Sequence, residues 1–167
     1  PEVDPRRRLV EKILSGTKSL ERVVNELLEY TRPLELKIER VDVATVIVGA
    51  IEFLPGVPED VRVVNGAHAG LQIRADANKL KQVLLNVLLN AVQSVGNSGE
   101  VGVDVEAASG HVTISVRDSG PGIAAEHLDK IFMPFFTTRE KGTGLGLAAA
   151  SKIVESHGGS IEAVSTP

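Results

Sequence analysis

Two asparagines, Asn86 and Asn90, stand four residues apart in the otherwise apolar run QVLLNVLLNAVQS. Residues at this spacing share one face of a helix, so the two amides are expected side by side. Asparagine forms helices weakly and is costly to bury without a partner, so the pair needs an explanation. One interpretation is that both amides bond to neighbouring backbone. The other is that their carbonyl oxygens hold a hard cation such as Mg²⁺ with its phosphates.

A third polar position closes a predicted strand further along the chain. Asp118 ends the alternating run 111–117 and is followed by Ser-Gly-Pro-Gly, whose proline and last glycine suit the two central positions of a type II turn. The simplest interpretation is a turn and nothing more. The alternative is that the carboxylate accepts a hydrogen bond from an exocyclic amine such as that of adenine, while the glycines let the ligand approach the backbone.

The run GTGLGL, residues 142–147, opens a predicted helix. Backbone N–H groups are unpaired at a helix start and the helix dipole favours anions there, so phosphate is the expected ligand. The spacing fits neither the dinucleotide fingerprint, which also needs a preceding strand, nor the P-loop. Three phenylalanines and then the TTREK stretch, with Arg139 and Lys141, precede these glycines. Such an order is typical of a hinged lid over phosphates.

Composition narrows the class of protein. The chain has 167 residues, 43% of them hydrophobic, which suits one domain of ordinary size plus an appendage. A formal net charge of −4 gives no sign of a nucleic-acid partner, and no apolar run approaches the length of a spanning helix. Cysteine is absent, which excludes disulfides and fits a reducing compartment. We expect a cytoplasmic location, with any membrane attachment made by segments outside this sequence.

These residues need helices and strands to position them. Apolar side chains recur at spacings of three and four over residues 6–32, which predicts the seam of a packed or coiled helix that ends before Pro33. This helix either lies on its own domain or joins a bundle, and the heptad-like spacing favours the bundle. Further helices are predicted at 43–54, 76–95 and 145–156, and strands at 34–38, 61–64, 71–73, 100–106, 111–118 and 160–164. This order predicts an α+β fold, a two-layer α/β sandwich with a mixed, mostly antiparallel sheet and helices on one face.

Four motifs in the order NVLLNAVQS, DSGPGI, FMPFF and GTGLGL resemble the N, G1, F and G2 boxes of the sensor histidine kinases. Their Bergerat ATP-binding fold is shared with gyrase, Hsp90 and the mismatch-repair ATPases, the GHKL superfamily. The FFTT-basic-GTGLGL form is most similar to the nitrogen-regulatory type of kinase. The resemblance implies a catalytic domain over 34–167, truncated at its C-terminal end. It also implies that residues 1–33 are the second helix of a dimerisation hairpin whose first helix is absent.

The resemblance also implies a role for each matching residue. Asp118 would accept from the adenine amino group, and Asn90 would ligate Mg²⁺ with Asn86 beside it. Arg139 and Lys141 would contact the γ-phosphate. The other residues implied to bind ATP are Gly120, Gly122, Ile123, Phe132, Thr137, Thr138, Gly142, Thr143, Gly144, Leu145, Gly146 and Leu147. In the hydrolysing relatives a glutamate four residues before the metal-binding asparagine activates water. Asn86 stands in that place and cannot act as a base, so phosphoryl transfer with ADP as product is expected rather than hydrolysis.

The family's phosphoacceptor is a histidine followed by an acidic residue and, a few positions on, a proline. The histidines of this chain lack that context and suit surface or capping positions: His68, His111, His127 and His157. We therefore expect the acceptor to lie elsewhere, with a homodimer formed through the helix hairpin and a response-regulator receiver domain as onward acceptor. The alternative is a regulatory nucleotide-binding module or an anti-sigma-type serine kinase. The complete N, G1 and G2 motifs argue against the first, and the helix before Pro33 separates a histidine kinase from the second.

Overall fold

The computed structural model describes residues 5–139 and 142–166. The chain divides into two compact units, Pro1–Pro33 and Leu34–Pro167. The first unit holds helix α1, Pro5–Thr31, which confirms the predicted N-terminal helix and its end just before a proline. The large apolar side chains of α1 are exposed, and Leu20 is 68% exposed. No helix among the described residues is both long and apolar enough to cross a membrane.

The described residues of the second unit form five strands. Strands β1, Glu39–Asp42, and β3, Gln72–Ala75, form an antiparallel pair. The larger sheet has the order β2, β4, β5, in which β2, Asp60–Asn65, runs parallel to β4, Ser98–Ala108, and β4 runs antiparallel to β5, His111–Asp118. The β4–β5 hairpin closes through Ser109 and Gly110, which both have positive φ, as two-residue hairpin loops require.

Within the described residues, four helices accompany these strands: α2, Val43–Glu52; α3, Ala77–Val95; α4, Ala125–Leu128; and α5, Gly146–Ser156. Local capping explains the start of α2 and the end of α3. The carboxylate of Asp42 accepts from the backbone N–H of Thr45 at the start of α2. At the C-terminal end of α3, Gly96 takes a φ of +71°, which ends the helix.

The core lies between the sheet and the helices. Ile47 of α2 and Leu88 of α3 are fully buried against Val101 and Val103 of β4. Helix α5 packs along α3 through a second apolar cluster that includes Ile153. Two of the three strand pairings formed by the described residues are antiparallel. The predicted two-layer arrangement, with helices on one face of a mixed sheet, is therefore confirmed.

Two predicted strands are wrong. Residues 34–38 and 160–164 form no ladder with another described strand, and β1 begins only at Glu39. Leu34 and Ile161 instead pack against the cluster between α3 and α5. The backbone N–H of Lys37 donates to a carboxylate oxygen of Asp76 at 2.9 Å. In both segments the side chains that turn toward the helices are half-buried and alternate with exposed ones. This packing gives the same apolar period of two as a strand does.

Candidate active site

Asp76 fixes the start of α3. Its side chain is only 7% exposed, and its two oxygens accept from the backbone N–H groups of Lys79, at 3.0 Å, and Lys37, at 2.9 Å. Burial raises the pKa of Asp76, but the backbone N–H donors outweigh it and hold the pKa below its ordinary value of 3.8. The carboxylate is therefore a charged cap that sets where α3 begins.

His157 ties the end of α5 to the start of α3. Its Nε2 accepts from the backbone N–H of Asp76 at 3.0 Å, and its Nδ1 donates to the carbonyl of Ile153 at 2.8 Å. One ring nitrogen accepts and the other donates, so this geometry requires the neutral imidazole with the proton on Nδ1. Because His157 is the C-cap residue of α5, the capping position predicted for it is confirmed.

A row of polar side chains runs along one face of α3: Asn86, Asn90 and Ser94, each four residues from the next. We call this row the α3 polar stripe. All three side chains are half-buried. At a rise of 1.5 Å per residue the stripe spans about 12 Å. The three members lie beside three different segments: the GTGLGL motif, the DSGPGI turn and the segment between these two motifs.

The first member meets the GTGLGL motif. The side-chain amide of Asn86 donates to the carbonyl oxygen of Gly146 at 2.9 Å. Gly146 is the first residue of α5, so the unpaired N–H groups of that helix start lie beside the stripe. The predicted proximity of the asparagine pair and this glycine run is therefore present.

The middle member meets the lid segment. The guanidinium of Arg139 donates to Oδ1 of Asn90 at 3.0 Å, to its backbone oxygen at 3.1 Å, and to Oε1 of Gln93. The amide of Asn90 in turn donates to the backbone oxygen of Asn86 at 3.1 Å. The two amide nitrogens therefore bond to backbone, as the first interpretation of the asparagine pair predicts. The oxygen of Asn90 faces a guanidinium, and the Mg²⁺ site of the second interpretation stays a prediction.

The last member meets the DSGPGI turn. A Cβ added to Gly120 would clash with the side chain of Ser94 and lie 2.6 Å from Oδ1 of Asp118. The backbone N–H of Gly120 donates to this same oxygen at 2.9 Å, which fixes the carboxylate at the strand end. Gly122 has a φ of +78°, which agrees with the third position of a type II turn. Asp118 therefore lies at the end of the stripe opposite Gly146.

The predicted lid runs from the phenylalanine-rich segment to the glycine run GTGLGL, and these two ends pack on each other. The carbonyl of Gly144 accepts from the backbone N–H of Phe135 at 3.0 Å. A Cβ on Gly144 would lie 2.7 Å from the backbone nitrogen of Phe136, and its φ is +70°. Gly142 lies similarly close to the side chain of Thr137. These contacts hold the second glycine motif against the phenylalanine-rich segment.

Residues 75–167 match the family described as histidine kinase-, DNA gyrase B-, and HSP90-like ATPase. The chain belongs to this family. Among curated relatives, the sensor histidine kinase ZraS of Klebsiella oxytoca is 46% identical over 152 residues, which cover 89% of this chain and 33% of that protein. The chain therefore spans about one third of the length of this relative.

Two solved structures of histidine kinases are similar to the chain. Full-length ShkA in complex with AMPPNP has a TM-score of 0.77 and 28% identity, covering 95% of this chain and 35% of that one. The histidine kinase ThkA in complex with the response regulator protein TrrA has a TM-score of 0.72 and 29% identity, covering 95% of this chain and 47% of that one. Residues 75–167 are thus an ATP-binding domain of the histidine kinase type.

The donor atoms of this histidine kinase domain fit a metal that arrives with a nucleotide. Oδ1 of Asn90 already accepts from a cationic group, so its surroundings favour positive charge. Among the described residues no cluster of three histidine, aspartate or glutamate side chains could hold a metal by itself. One amide oxygen with the remaining ligands taken from phosphates and water suits Mg²⁺.

The other residues that the sequence singles out are spread around the histidine kinase site. The N–H of Ile123 donates to Ser165 at 2.7 Å, and Leu145 is 2% exposed, so its side chain belongs to the core. The hydroxyl of Thr143 accepts from the N–H of Leu145 at 3.4 Å. Phe132 and Leu147 are half-buried and Thr138 is exposed. Lys141 lies outside the described residues.

Sequence reasoning missed two residues of the site, Ser94 and Gln93. The spacing of four that joins Asn86 to Asn90 continues to Ser94, so the stripe could have been extended by one member from the sequence alone. Gln93 carried no such signal. Its contact joins it to Arg139, 46 positions away, and depends on the tertiary fold.

Proposed function

We propose that this chain binds Mg²⁺-ATP and transfers the γ-phosphate to a histidine other than its own four. The observation that carries the proposal is the α3 polar stripe. Along one face of α3 it brings together the start of α5, the side-chain oxygen of Asn90, which accepts from a guanidinium, and the carboxylate of Asp118. Its length of about 12 Å is close to what separates the base from the outer phosphate of a nucleotide. The three kinds of group appear in the order that adenine and phosphates would need.

Asp118 would receive the adenine. Its Oδ1 is held by the N–H of Gly120, and no hydrogen bond of the described residues engages Oδ2. A carboxylate oxygen so placed can accept from the exocyclic amine of adenine. A side chain on Gly120 would collide with Ser94, so this glycine is what lets the turn lie against α3 beside the proposed adenine position.

The phosphates would lie between the start of α5 and Asn90. Unpaired N–H groups at a helix start attract anions, and Gly146 exposes them without a side chain. Asn90, with Asn86 beside it, would hold Mg²⁺, which neutralises phosphate charge when bound. Arg139 and Lys141 would add positive charge at the γ-phosphate.

The reaction would be phosphoryl transfer. A nitrogen lone pair of the acceptor imidazole would attack the γ-phosphorus, while the bond from this phosphorus to the β,γ-bridging oxygen breaks and ADP leaves with the electron pair. The residues of this chain act mainly by positioning and by neutralising charge. Asn86 cannot deprotonate water, and its amide is engaged with Gly146, so hydrolysis is not favoured.

The chain's own histidines are poor acceptors. His157 is held between Asp76 and Ile153, and the ring of His127 packs on Phe136 with centroids 5.4 Å apart. Neither stands on α1, the helix that resembles part of a phosphotransfer hairpin. The acceptor would therefore be supplied by a segment or chain other than the one described.

The partners follow from the same proposal. The exposed apolar residues of α1 would pair in a hairpin bundle that makes the longer protein a homodimer. A response-regulator receiver domain would take the phosphate onward, a proposal supported by the similar kinase ThkA, which was solved with a response regulator. The location of this catalytic part would be the cytoplasm.

The test of nucleotide binding is Asp118→Asn. Loss of a charged acceptor to adenine should cost on the order of 1.5–3 kcal/mol, roughly a ten- to hundredfold weaker Kd for Mg²⁺-ATP. Titration calorimetry on both proteins measures this difference. Asp60→Asn is the control, because Asp60 is an exposed carboxylate on β2, at the other edge of the same sheet. Equal affinities of the Asp118 variant and the unaltered chain would mean that the turn does not bind the base.

A further inference from the structure

The guanidinium of Arg139 lies on α3 and bonds to three acceptors within one helical turn. Nη1 donates to Oδ1 of Asn90 and Oε1 of Gln93, and Nη2 donates to the backbone oxygen of Asn90. Arg139 and Asn90 are separated by 49 positions, so the contact is tertiary rather than local. A planar cation with several fixed donors is well suited to such a set of acceptors.

One of these acceptors is the atom to which the proposed function assigns Mg²⁺. Oδ1 of Asn90 cannot bond to the guanidinium and to a divalent cation together, because the two positive charges would lie only a few ångströms apart. In the proposed function Gln93 contacts neither the nucleotide nor the metal. It is exposed, and its side-chain oxygen accepts from Arg139. The contact between Gln93 and Arg139 therefore stabilises a state in which the metal position is taken.

We propose that Arg139 is an internal cation that occupies the metal position on Asn90 in the nucleotide-free chain, and that Gln93 holds it there. The inference rests on the proposed function and describes how that same site is regulated. Binding of the Mg²⁺-nucleotide requires the guanidinium to leave Asn90, after which it is available to the phosphates, its stronger partners. The apparent affinity for Mg²⁺-nucleotide is therefore reduced by the fraction of molecules in which Asn90 is occupied.

The test is Gln93→Ala, measured by titration calorimetry with the non-hydrolysable nucleotide AMPPNP. With Mg²⁺ present, the variant should bind roughly two- to tenfold more tightly than the unaltered chain, because the competing state loses one hydrogen bond to a charged group. With the metal removed by EDTA, the gain should be clearly smaller, since no metal then competes with Arg139 for Asn90 and only the contact of Arg139 with the phosphates contributes. Gln82→Ala is the matched control, a glutamine of the same helix that accepts from Lys79 instead of Arg139.

A double-mutant cycle separates release of Arg139 from any other effect of Gln93. In an Arg139→Ala background, Gln93→Ala should leave the Kd for Mg²⁺-AMPPNP unchanged. The inference is overturned if Gln93→Ala alone binds Mg²⁺-AMPPNP equally or more weakly, if the gain is as large in EDTA as with Mg²⁺, or if it persists without Arg139. Failure of the unaltered chain to bind Mg²⁺-AMPPNP at all would overturn the proposed function itself, so the two failures are distinguishable.

Discussion

Gly144 and Gly146 lie two positions apart in one motif, yet only Gly146 has room for a side chain. A Cβ on Gly144 would lie 2.7 Å from the backbone nitrogen of Phe136, at a φ of +70° that L-residues rarely adopt. A Cβ on Gly146 would meet nothing closer than Cγ of Asn86 at 3.8 Å, an ordinary contact. At the scale of the residue, Gly144 is therefore required by the protein's own backbone and Gly146 is not.

Gly144→Ala should lower the free energy of unfolding by about 1–3 kcal/mol, since it adds strain at a positive φ and a clash with rigid backbone. Gly146→Ala is the matched control. It lies in the first turn of α5, where alanine should be neutral or stabilise by up to about 1 kcal/mol. Urea denaturation of the three proteins measures both values. Equal stability of the two variants would contradict the close approach of Gly144 to Phe136.

At the scale of the element, α3 is joined to both ends of α5. Asp76 and His157 link the start of α3 to the end of α5, and Asn86 and Gly146 link the middle of α3 to the start of α5. These bonds bracket the apolar contact through Ile153. The start of α5 and the asparagine face of α3 are thus held at a fixed spacing by structural bonds that do not involve a ligand.

Asp76→Ala should destabilise the protein by about 2–4 kcal/mol near neutral pH, because it removes the cap of α3 and leaves the N–H of Lys37 without its acceptor. The folded pKa of Asp76 lies below 3.8, so its stabilisation is complete above that pH and is lost as the pH falls through the folded value. The gap in unfolding free energy between the two proteins should therefore be constant above about pH 5 and shrink below 3.8.

Chemical denaturation at a series of pH values checks this dependence. Asp129→Ala, at an exposed position just after α4, is the control and should change stability little. A gap that stays constant down to acid pH, or that widens there, would contradict the assignment of Asp76 as a charged cap.

The elements that could be predicted from the sequence are those with local signals. The limits of α3 follow from Asp76 and Gly96, and the β4–β5 hairpin follows from Ser109–Gly110, because caps and tight turns depend on neighbouring residues. Residues 34–38 were misassigned because packing on helices imitates the alternation of a strand. The contact of Arg139 with Asn90 could not be predicted, since nothing local in either segment specifies which of many polar partners the fold brings near.

At the scale of the whole molecule, none of the four histidines stands on α1, the helix that resembles part of a phosphotransfer hairpin. His157 is committed to Asp76, and α1 presents exposed apolar residues such as Leu20 without a histidine among them. A helix of this kind is stable in a bundle that covers its apolar face. We expect the acceptor histidine to be presented by the partner helix of such a bundle.

The central claim is tested most directly by incubating the chain with Mg²⁺ and γ-labelled ATP, alone and with a separate polypeptide that carries the histidine-bearing first helix of the proposed hairpin. Alone, the chain should show almost no hydrolysis and no stable label. In the mixture, label should appear on the added polypeptide and be acid-labile and alkali-stable, as phosphohistidine is. Alkali-labile label on serine, acid-labile label on the chain's own histidines, or rapid hydrolysis without an acceptor would contradict the account.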